Sequence, residues 1–387
     1  MDAGDFPIGI MDDIRKWARP KKHPKNVKTM GDQFMHPIML NIELLHTIDT
    51  EYSADSIEWC PHTNYRNIFA CGTYQLEETK DGEEEKPCQR KGRIYLFEFE
   101  KDCNSLKELQ RIETAAILDM KWLNSNETET PVLATATALG QIEIFQLVDV
   151  DCKLKLCDSI HLKSDDNNLL ALALDWRRCS DKNDEYEILT SDSKGNISLV
   201  TRSNERPLEI LKSWHAHNFE AWICAFDKWD INRVYTGGDD TFLNVYDLRT
   251  ESRISLNKSH SAGVTCLLSH PVREHILLSG SYDENLRTFD TRSMRGPLSE
   301  INLQGGIWRI KSDPRNHNLM LCACMYHNFS VVDLSDLNAP TLVGEFGEHK
   351  SICYGADWGL NCEPGDASMY MATCSFYDHK LCVARIS

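Results

Sequence analysis

The stretch VYTGGDDTFLNVYDLR, Val234 to Arg249, returns 43 residues later as LLSGSYDENLRTFDTR, Leu277 to Arg292. Thr236 falls on Ser279, Gly237 on Gly280, Asp240 on Asp283, Asp247 on Asp290 and Arg249 on Arg292, while upstream His217 falls on His260. Chance does not hold six matches at one offset. A period near 43, carried by short alternating strands, is the signature of a β-propeller in which each repeat supplies a four-stranded blade. Such a unit cannot bury its apolar faces alone, so the repeat dictates a stacked ring of blades.

The period extends in both directions. Asp333 lies one period beyond Asp290 and closes LMLCACMYHNFSVVD, although Tyr326 stands where the turn Asp belongs. The chain ends in MATCSFYDHKLCVARI, with Asp378 two periods and nine residues beyond Asp283; the polar GLNCEPGDAS stretch accounts for the surplus. EILTSDSKGNISLVTR and VLATATALGQIEIFQL repeat the pattern of strand, Gly turn and second strand, and NIFACGTYQL with GRIYLFEFE gives the first unit. A charged insert, Glu77 to Lys91, interrupts that first unit and is expected to project as a solvated loop. Seven units result, starting near residues 44, 106, 154, 208, 255, 298 and 340. NIELLHTI, Asn41 to Ile48, is expected to supply the outer strand of the last blade, closing the ring and removing its exposed edges.

The expected architecture is all-β, a seven-bladed propeller over residues 38–387, preceded by a short irregular N-terminal arm over residues 1–37. The arm carries Arg15, Lys16, Arg19, Lys21, Lys22, Lys25 and Lys28 with Pro20 and Pro24, and reads as flexible, basic and solvated. The propeller resembles WD-repeat proteins. In that family a His before the innermost strand, a Ser or Thr on the second strand, an Asp in the following turn and an aromatic on the third bond together inside the sheet. The resemblance places His217, Thr236, Asp240 and Tyr246 in one such set and His260, Ser279, Asp283 and Phe289 in the next. Polar groups packed in a sheet must satisfy one another, so their default role is structural.

Composition narrows the function classes. A net charge of −17 over 387 residues opposes nonspecific nucleic-acid binding, and no long apolar span points to a membrane. The fifteen cysteines contain no CxxC pair and fall mostly inside strand patterns, as Cys224, Cys266 and Cys322 do, where they act as small core residues in a reducing setting. The His and Cys spacing matches no standard zinc site, so no metal is expected. G-x-S-x-G, H-E-x-x-H, G-x-x-x-x-G-K-[ST] and G-x-G-x-x-G are all absent. A propeller without such motifs reads by default as a noncatalytic scaffold for protein interactions.

More specific segments stand against that default. They are DTEYSADSIEWCP leading into FACGTYQL, HAHNFEAWICAF before the TGGDD turn, GSYDE, QGGIWRIKSDP, LCACMYHNF, HKSICYGADW and the SFYDH ending. In order and spacing this set is similar to the WD-repeat diphthine methylesterase family, also called methylated diphthine methylhydrolase or diphthamide biosynthesis protein 7. The likeness runs from about Asn41 to the C-terminus. It implies a cytoplasmic, monomeric carboxylic ester hydrolase without cofactor. The implied reaction removes the methyl ester from methylated diphthine on elongation factor 2, a step in diphthamide biosynthesis. A noncatalytic scaffold remains the alternative, and a reader of modified histone tails is a third reading without matching segments.

Ester hydrolysis needs a nucleophile, a base and donors for the oxyanion. The inter-blade loops and the turns between second and third strands share one face, where functional groups gather over a rigid scaffold. Just after each turn Asp come Thr241, Glu284, His327 and His379; the position equivalent to Thr265 carries Asp55, Trp222, Trp308 and Tyr354. The catalytic candidates are His327 and His379 as bases, because imidazole titrates near working pH, and Ser351 and Tyr354 beside them. Ser375 is a nucleophile candidate alongside Ser351, and Cys353 and Cys374 are alternatives of similar standing. The substrate-binding candidates are Asp55 and Glu284 for a trimethylammonium group, Trp222 and Trp308 as an aromatic wall, and the amides of Gly305 and Gly306 for the oxyanion. Each has a bland alternative: a turn histidine held by its blade, a surface carboxylate, or an aromatic plug in the channel.

Overall fold

Strand after strand pairs antiparallel with its sequence neighbour, and the computed structural model gathers 28 strands into seven four-stranded sheets. It describes residues 39–77, 89–123, 130–148, 152–163, 168–178, 185–203, 206–361 and 365–387. The basic arm lies outside the described residues, and the compact unit spans Met39–Ser387. The innermost strands of blades one to seven are Ser53–Trp59, Ile117–Trp122, Ala171–Arg178, Ile223–Phe226, Val264–Ser269, Ile307–Ser312 and Cys353–Trp358. Each touches the innermost strand of the next blade, and the seventh touches the first, so they enclose a central channel. The fold is a seven-bladed β-propeller, as the 43-residue period requires.

The apolar core is divided among the gaps between blades. One cluster pairs Trp59, Phe69 and Phe97 of blade one with Cys374, Leu381 and Val383 of blade seven. Another pairs Tyr235 and Val245 of blade four with Leu277 and Phe289 of blade five. Cys224, Cys266 and Cys322 are buried thiols in these interfaces, as their strand positions suggested. The ring closes where Ile42–Asp49 pairs with Lys380–Ile386, so the strand expected at Asn41 to Ile48 is present one residue later.

Two sequence expectations shift in detail. The repeat starts near 44, 106, 154, 208 and 255 fall on outermost strands of the preceding blades, and those near 298 and 340 fall one residue before such strands. The sequence repeat therefore runs one strand out of phase with the blade. An outermost strand and the loop after it lead directly into the next innermost strand, and together they recur as one sequence unit. The charged insert is also shorter than the Glu77 to Lys91 stretch. Gln75, Leu76 and Glu77 pair with Lys91, Arg90 and Gln89, which leaves residues 78–88 outside the described residues.

The hydrogen-bonded sets hold three blades in different ways. In blade four, Asp240 accepts from His217 Nδ1 at 2.9 Å, which leaves Nε2 to accept from the Thr236 hydroxyl at 2.8 Å. Tyr246 donates instead to the Ala216 carbonyl at 3.4 Å. In blade five His260 keeps Ser279 at 2.8 Å, but Asp283 turns to Arg287 at 2.8 Å, and His260 Nδ1 is buried without a partner. Blade seven inserts a serine: Ser375 donates to Asp378 at 2.5 Å and meets His349 Nδ1 at 2.6 Å.

Candidate functional site

Five innermost strands carry a β-bulge at the same place, where the register skips Asp55, Leu118, Leu172, Thr265 and Trp308. In blade seven it skips Tyr354 and Gly355, and in blade four Trp222 directly precedes the strand. A bulge re-aims the extra side chain away from the ladder. The position equivalent to Thr265 is therefore a ring of seven residues at one channel mouth.

On this ring the aromatics form a continuous arc. Trp222 and Trp308 have ring centroids 5.6 Å apart, and Tyr282 stands 6.2 Å from Trp222 and 6.1 Å from Trp308. Trp308 lies 5.0 Å from Tyr354, which continues to Phe376 at 5.3 Å and on to Tyr377 at 5.1 Å. Trp222 Nε1 donates to Asp239 at 3.0 Å. Trp308 Nε1, Tyr282 Oη and Asp55 Oδ1 are buried without a partner. Burial raises both the Tyr354 and Tyr282 phenols well above their usual range; around Tyr354, Tyr282, Asp55, Tyr326 and Tyr377 push the same way.

Asp55 is 3% exposed. Burial pushes its carboxyl up to about 8; Arg309 opposes this and Asp119 adds to it. Below it the channel holds a ladder of ion pairs. Arg309 donates to Asp119 at 2.9 Å and to the Leu118 carbonyl at 3.2 Å. Lys311 bonds Glu58 and lies 3.7 Å from Asp357, and Lys121 lies 3.7 Å from Asp175. Burial, only partly countered by Lys311, pushes Glu58 up to about 7. Among the described residues no group of three His, Cys, Asp or Glu side chains could hold a metal ion.

The ladder ends in a motif that the repeat alignment did not use. Glu58-Trp59, Lys121-Trp122 and Asp357-Trp358 close three innermost strands, and Asp175-Trp176 lies two residues before the end of a fourth. Trp122 donates through its indole to the Glu58 carbonyl at 3.0 Å, Trp176 to Lys121 at 3.0 Å and Trp358 to Lys311 at 2.9 Å. The Asp side chains accept amides of the next blade, Asp357 from Trp59 at 2.7 Å and Asp175 from Phe226 at 2.8 Å. A charged residue followed by Trp was the available signal.

The candidate residues divide into two groups. Asp55, Trp222, Trp308 and Tyr354 come together at the mouth. Ser351 lies nearby on the rim, in a shallow cavity of about 330 Å³ with Tyr326, Lys350, Ile352, Tyr377 and Asp378; its Oγ accepts from the Tyr377 amide at 2.9 Å. Glu284 and His379 are not brought to the arc. Both occupy left-handed turn corners, at φ 72° and 51°, like Gly140 and Gly195 at 64° and 80° in blades two and three. The corner presents its carbonyl to the chain: Leu303 N donates to Glu284 O at 2.9 Å and Thr50 N to His379 O at 2.8 Å. His327 is also directed elsewhere, pairing through Nε2 with Glu345 of its blade's outermost strand at 2.9 Å. Gly305 and Gly306 serve close chain packing. A Cβ on Gly305 would meet the Cys324 carbonyl at 2.5 Å, and one on Gly306 would meet Met325 Sδ at 3.1 Å. Ser375, Cys353 and Cys374 are buried in their blade, and burial raises both thiols.

The human protein named diphthine methyltransferase is 39% identical over 344 residues, covering 83% of this chain and 75% of its own length. This chain belongs to the diphthine methyltransferase family. The mouse member is 37% identical over 82% of the chain and 69% of its own length, and the Dictyostelium discoideum homolog 36% identical over 86% and 96%. No protein-family model matches the chain. A chain in the crystal structure of the mitotic checkpoint complex superposes with a TM-score of 0.63 at 13% identity, covering 95% of this chain and 97% of its own; this likeness is one of fold. Within the family frame, the mouth of this member combines buried aromatics with an uncompensated carboxyl.

That carboxyl has a measurable consequence. Below about pH 4 Asp55 is protonated in folded and unfolded chain alike. As pH rises the unfolded chain releases its proton first, while the folded chain holds it until about 8, so stability falls across that window. Asp55→Asn is expected to remove this slope and to stabilise the protein at pH 8 by about 1–3 kcal/mol, with no gain at pH 4. Thermal melts of both proteins from pH 4 to 9 check it; parallel curves would refute the assignment.

Proposed function

We propose that this protein is a carboxylic ester hydrolase of diphthamide biosynthesis. In this reading it removes the methyl ester from methylated diphthine on elongation factor 2, acting as a cytoplasmic monomer without cofactor. The observation that carries the reading is membership of a family named for diphthine, joined to the mouth's chemistry. Diphthine carries a quaternary ammonium group, and stacked Trp and Tyr faces beside carboxylates attract such cations. Trp222, Trp308, Tyr282 and Tyr354 supply the faces, and Asp239, bonded to the Trp222 indole, supplies a carboxylate. A folded protein substrate suits a rim built on rigid blades. No helix among the described residues is long and apolar enough to cross a membrane.

The family name speaks of methyl transfer, whereas hydrolysis transfers the ester's acyl group to water and releases methanol. Mass spectrometry separates the two. Elongation factor 2 carrying methylated diphthine, incubated with the purified full chain alone, is expected to lose the mass of one CH2 group as methanol appears. A gain of that mass, dependent on added S-adenosylmethionine, would support methyl transfer instead. An unchanged mass with binding retained would leave a noncatalytic scaffold that docks partners on the same rim.

A further inference from the structure

Among the described residues the innermost strands carry five carboxylates, and four of them have defined partners. Asp119 has Arg309 and the Leu174 amide at 2.9 Å, Asp175 the amides of Phe226 and Trp176, Asp357 those of Trp59 and Trp358, and Glu58 has Lys311. Asp55 differs. Its Oδ1 is buried without a partner, and its place on the bulge sets it at the mouth rather than within the ladder. Buried polar atoms without partners are rare and call for a functional account. Two blades away on the same ring, Trp308 Nε1 is a buried donor that also has no partner. Tyr354 of blade seven lies between them, so Asp55, Tyr354 and Trp308 follow one another in blades one, seven and six.

We infer that Asp55 is the general base that activates water for ester hydrolysis, and that Trp308 Nε1 donates to the oxyanion. The inference rests on the hydrolase reading and names the groups that would perform it. The water oxygen bonds to the ester carbonyl carbon as one of its protons passes to the Asp55 carboxylate, and the carbonyl π pair moves onto oxygen. Trp308 Nε1–H meets that negative charge in a water-poor site, where a fixed donor is most effective. Collapse re-forms the carbonyl and breaks the bond to methoxide, which takes the proton from Asp55 and leaves as methanol. Ester and water become acid and methanol, and Asp55 is returned as carboxylate. Tyr326 and Tyr377, 51% and 45% exposed, stand at the rim above Tyr354 and line the approach.

The charged and titratable groups facing Asp55 are Arg309 from blade six, Asp119 from blade two, and Tyr354 and Cys374 from blade seven. Arg309 is committed to Asp119 and attracts Asp55 without bonding it, so it lowers the cost of the carboxylate while leaving that carboxylate free to accept a proton. A base in this setting works best near its own ionisation, which burial has brought up to about 8.

The test follows methanol release from elongation factor 2 carrying methylated diphthine, with the full chain, between pH 6 and 9. Wild-type kcat/KM is expected to rise with pH through one ionisation near 8. Asp55→Asn is expected to lower kcat by about 100-fold or more while KM stays within about twofold. Asp55→Glu should recover part of that loss, and Trp308→Phe should lower kcat by about 10-fold or more. A flat wild-type pH profile, or a folded Asp55→Asn protein that keeps the wild-type kcat, would overturn the inference while hydrolysis itself stood. Wild-type chain releasing no methanol would overturn both the inference and the hydrolase reading. If Asp55→Asn fails to fold, the wild-type pH profile and Asp55→Glu decide.

Discussion

A chain beginning at Thr50 is expected to lose cooperative folding, or to melt at least 10 °C below a chain beginning at Met39. The difference between the two is the strand Ile42–Asp49 and the residues leading into it. This strand is the outermost member of blade seven, although it comes first in sequence. Leu40, Ile42 and Leu44 pack on the core between blades six and seven, and Leu45 and Ile48 on the core between seven and one. Burying these five aliphatic side chains contributes about 5 kcal/mol even if each is only partly covered. Domains of ordinary stability hold about 5–15 kcal/mol in total. Deletion would also bare Lys380–Ile386, a strand rich in apolar side chains, as an unpaired edge ready to pair with another chain. Calorimetry and size-exclusion chromatography of the two chains check the expectation. A peptide of residues 39–50 added in trans should restore part of the loss, and equal melting of the two chains would refute the closure argument.

How much of this was legible in the sequence depends on how far each feature follows from a period. The ring did follow: six matches at one offset, extended outward, led to seven blades and to a closing strand from the N-terminal side. The hydrogen-bonded set of blade four followed almost entirely, because the repeated spacing brings His217, Thr236 and Asp240 together from a loop, a strand and the turn after it. Blade five shows the limit of that logic. Arg287 stands four residues after Asp283 and captures it, a competition that no offset reports.

The mouth shows the same division. Alignment on Thr265 picked out Asp55, Trp222, Trp308 and Tyr354, and the bulge explains why that one position differs from its neighbours. Alignment on the turn Asp also picked out His379 and Glu284, but there a positive φ decides the outcome. At a left-handed corner the backbone carbonyl does the bonding, and the side-chain type is nearly irrelevant, which is why glycine serves equally in blades two and three. The ion-pair ladder was missed because its members are identical neither in charge nor in residue. Glu58, Lys121, Asp175, Lys311 and Asp357 carry both signs and come from blades one, two, three, six and seven only, so self-similarity hides them. Only the tryptophan that follows four of the five gave a constant signal.

That ladder carries the second large prediction. Lys311→Met is expected to cost about 3–5 kcal/mol at pH 8, the usual consequence of removing one partner from a buried ion pair. Lys311 bonds Glu58 of blade one and faces Asp357 of blade seven, so its loss leaves two buried carboxylates without their shared cation. Burial already raises both carboxyls, and Lys311 is the principal group that opposes this. Without it both rise further. The sign of the pH dependence follows. The unfolded chain releases these protons near the ordinary carboxylate range, while the folded variant retains them to higher pH, so stability drains away as pH increases between those limits. The deficit relative to wild type should therefore be smallest near pH 5 and largest near pH 8. Adding Glu58→Gln removes one of the stranded charges and should recover part of the loss, a coupling expected only of residues in direct contact. Denaturant melts of wild type, both single variants and the double variant at the two pH values measure it. A deficit independent of pH, or strict additivity of the two substitutions, would mean that Lys311 contributes through packing alone and that the blades do not depend on charge exchange across the channel.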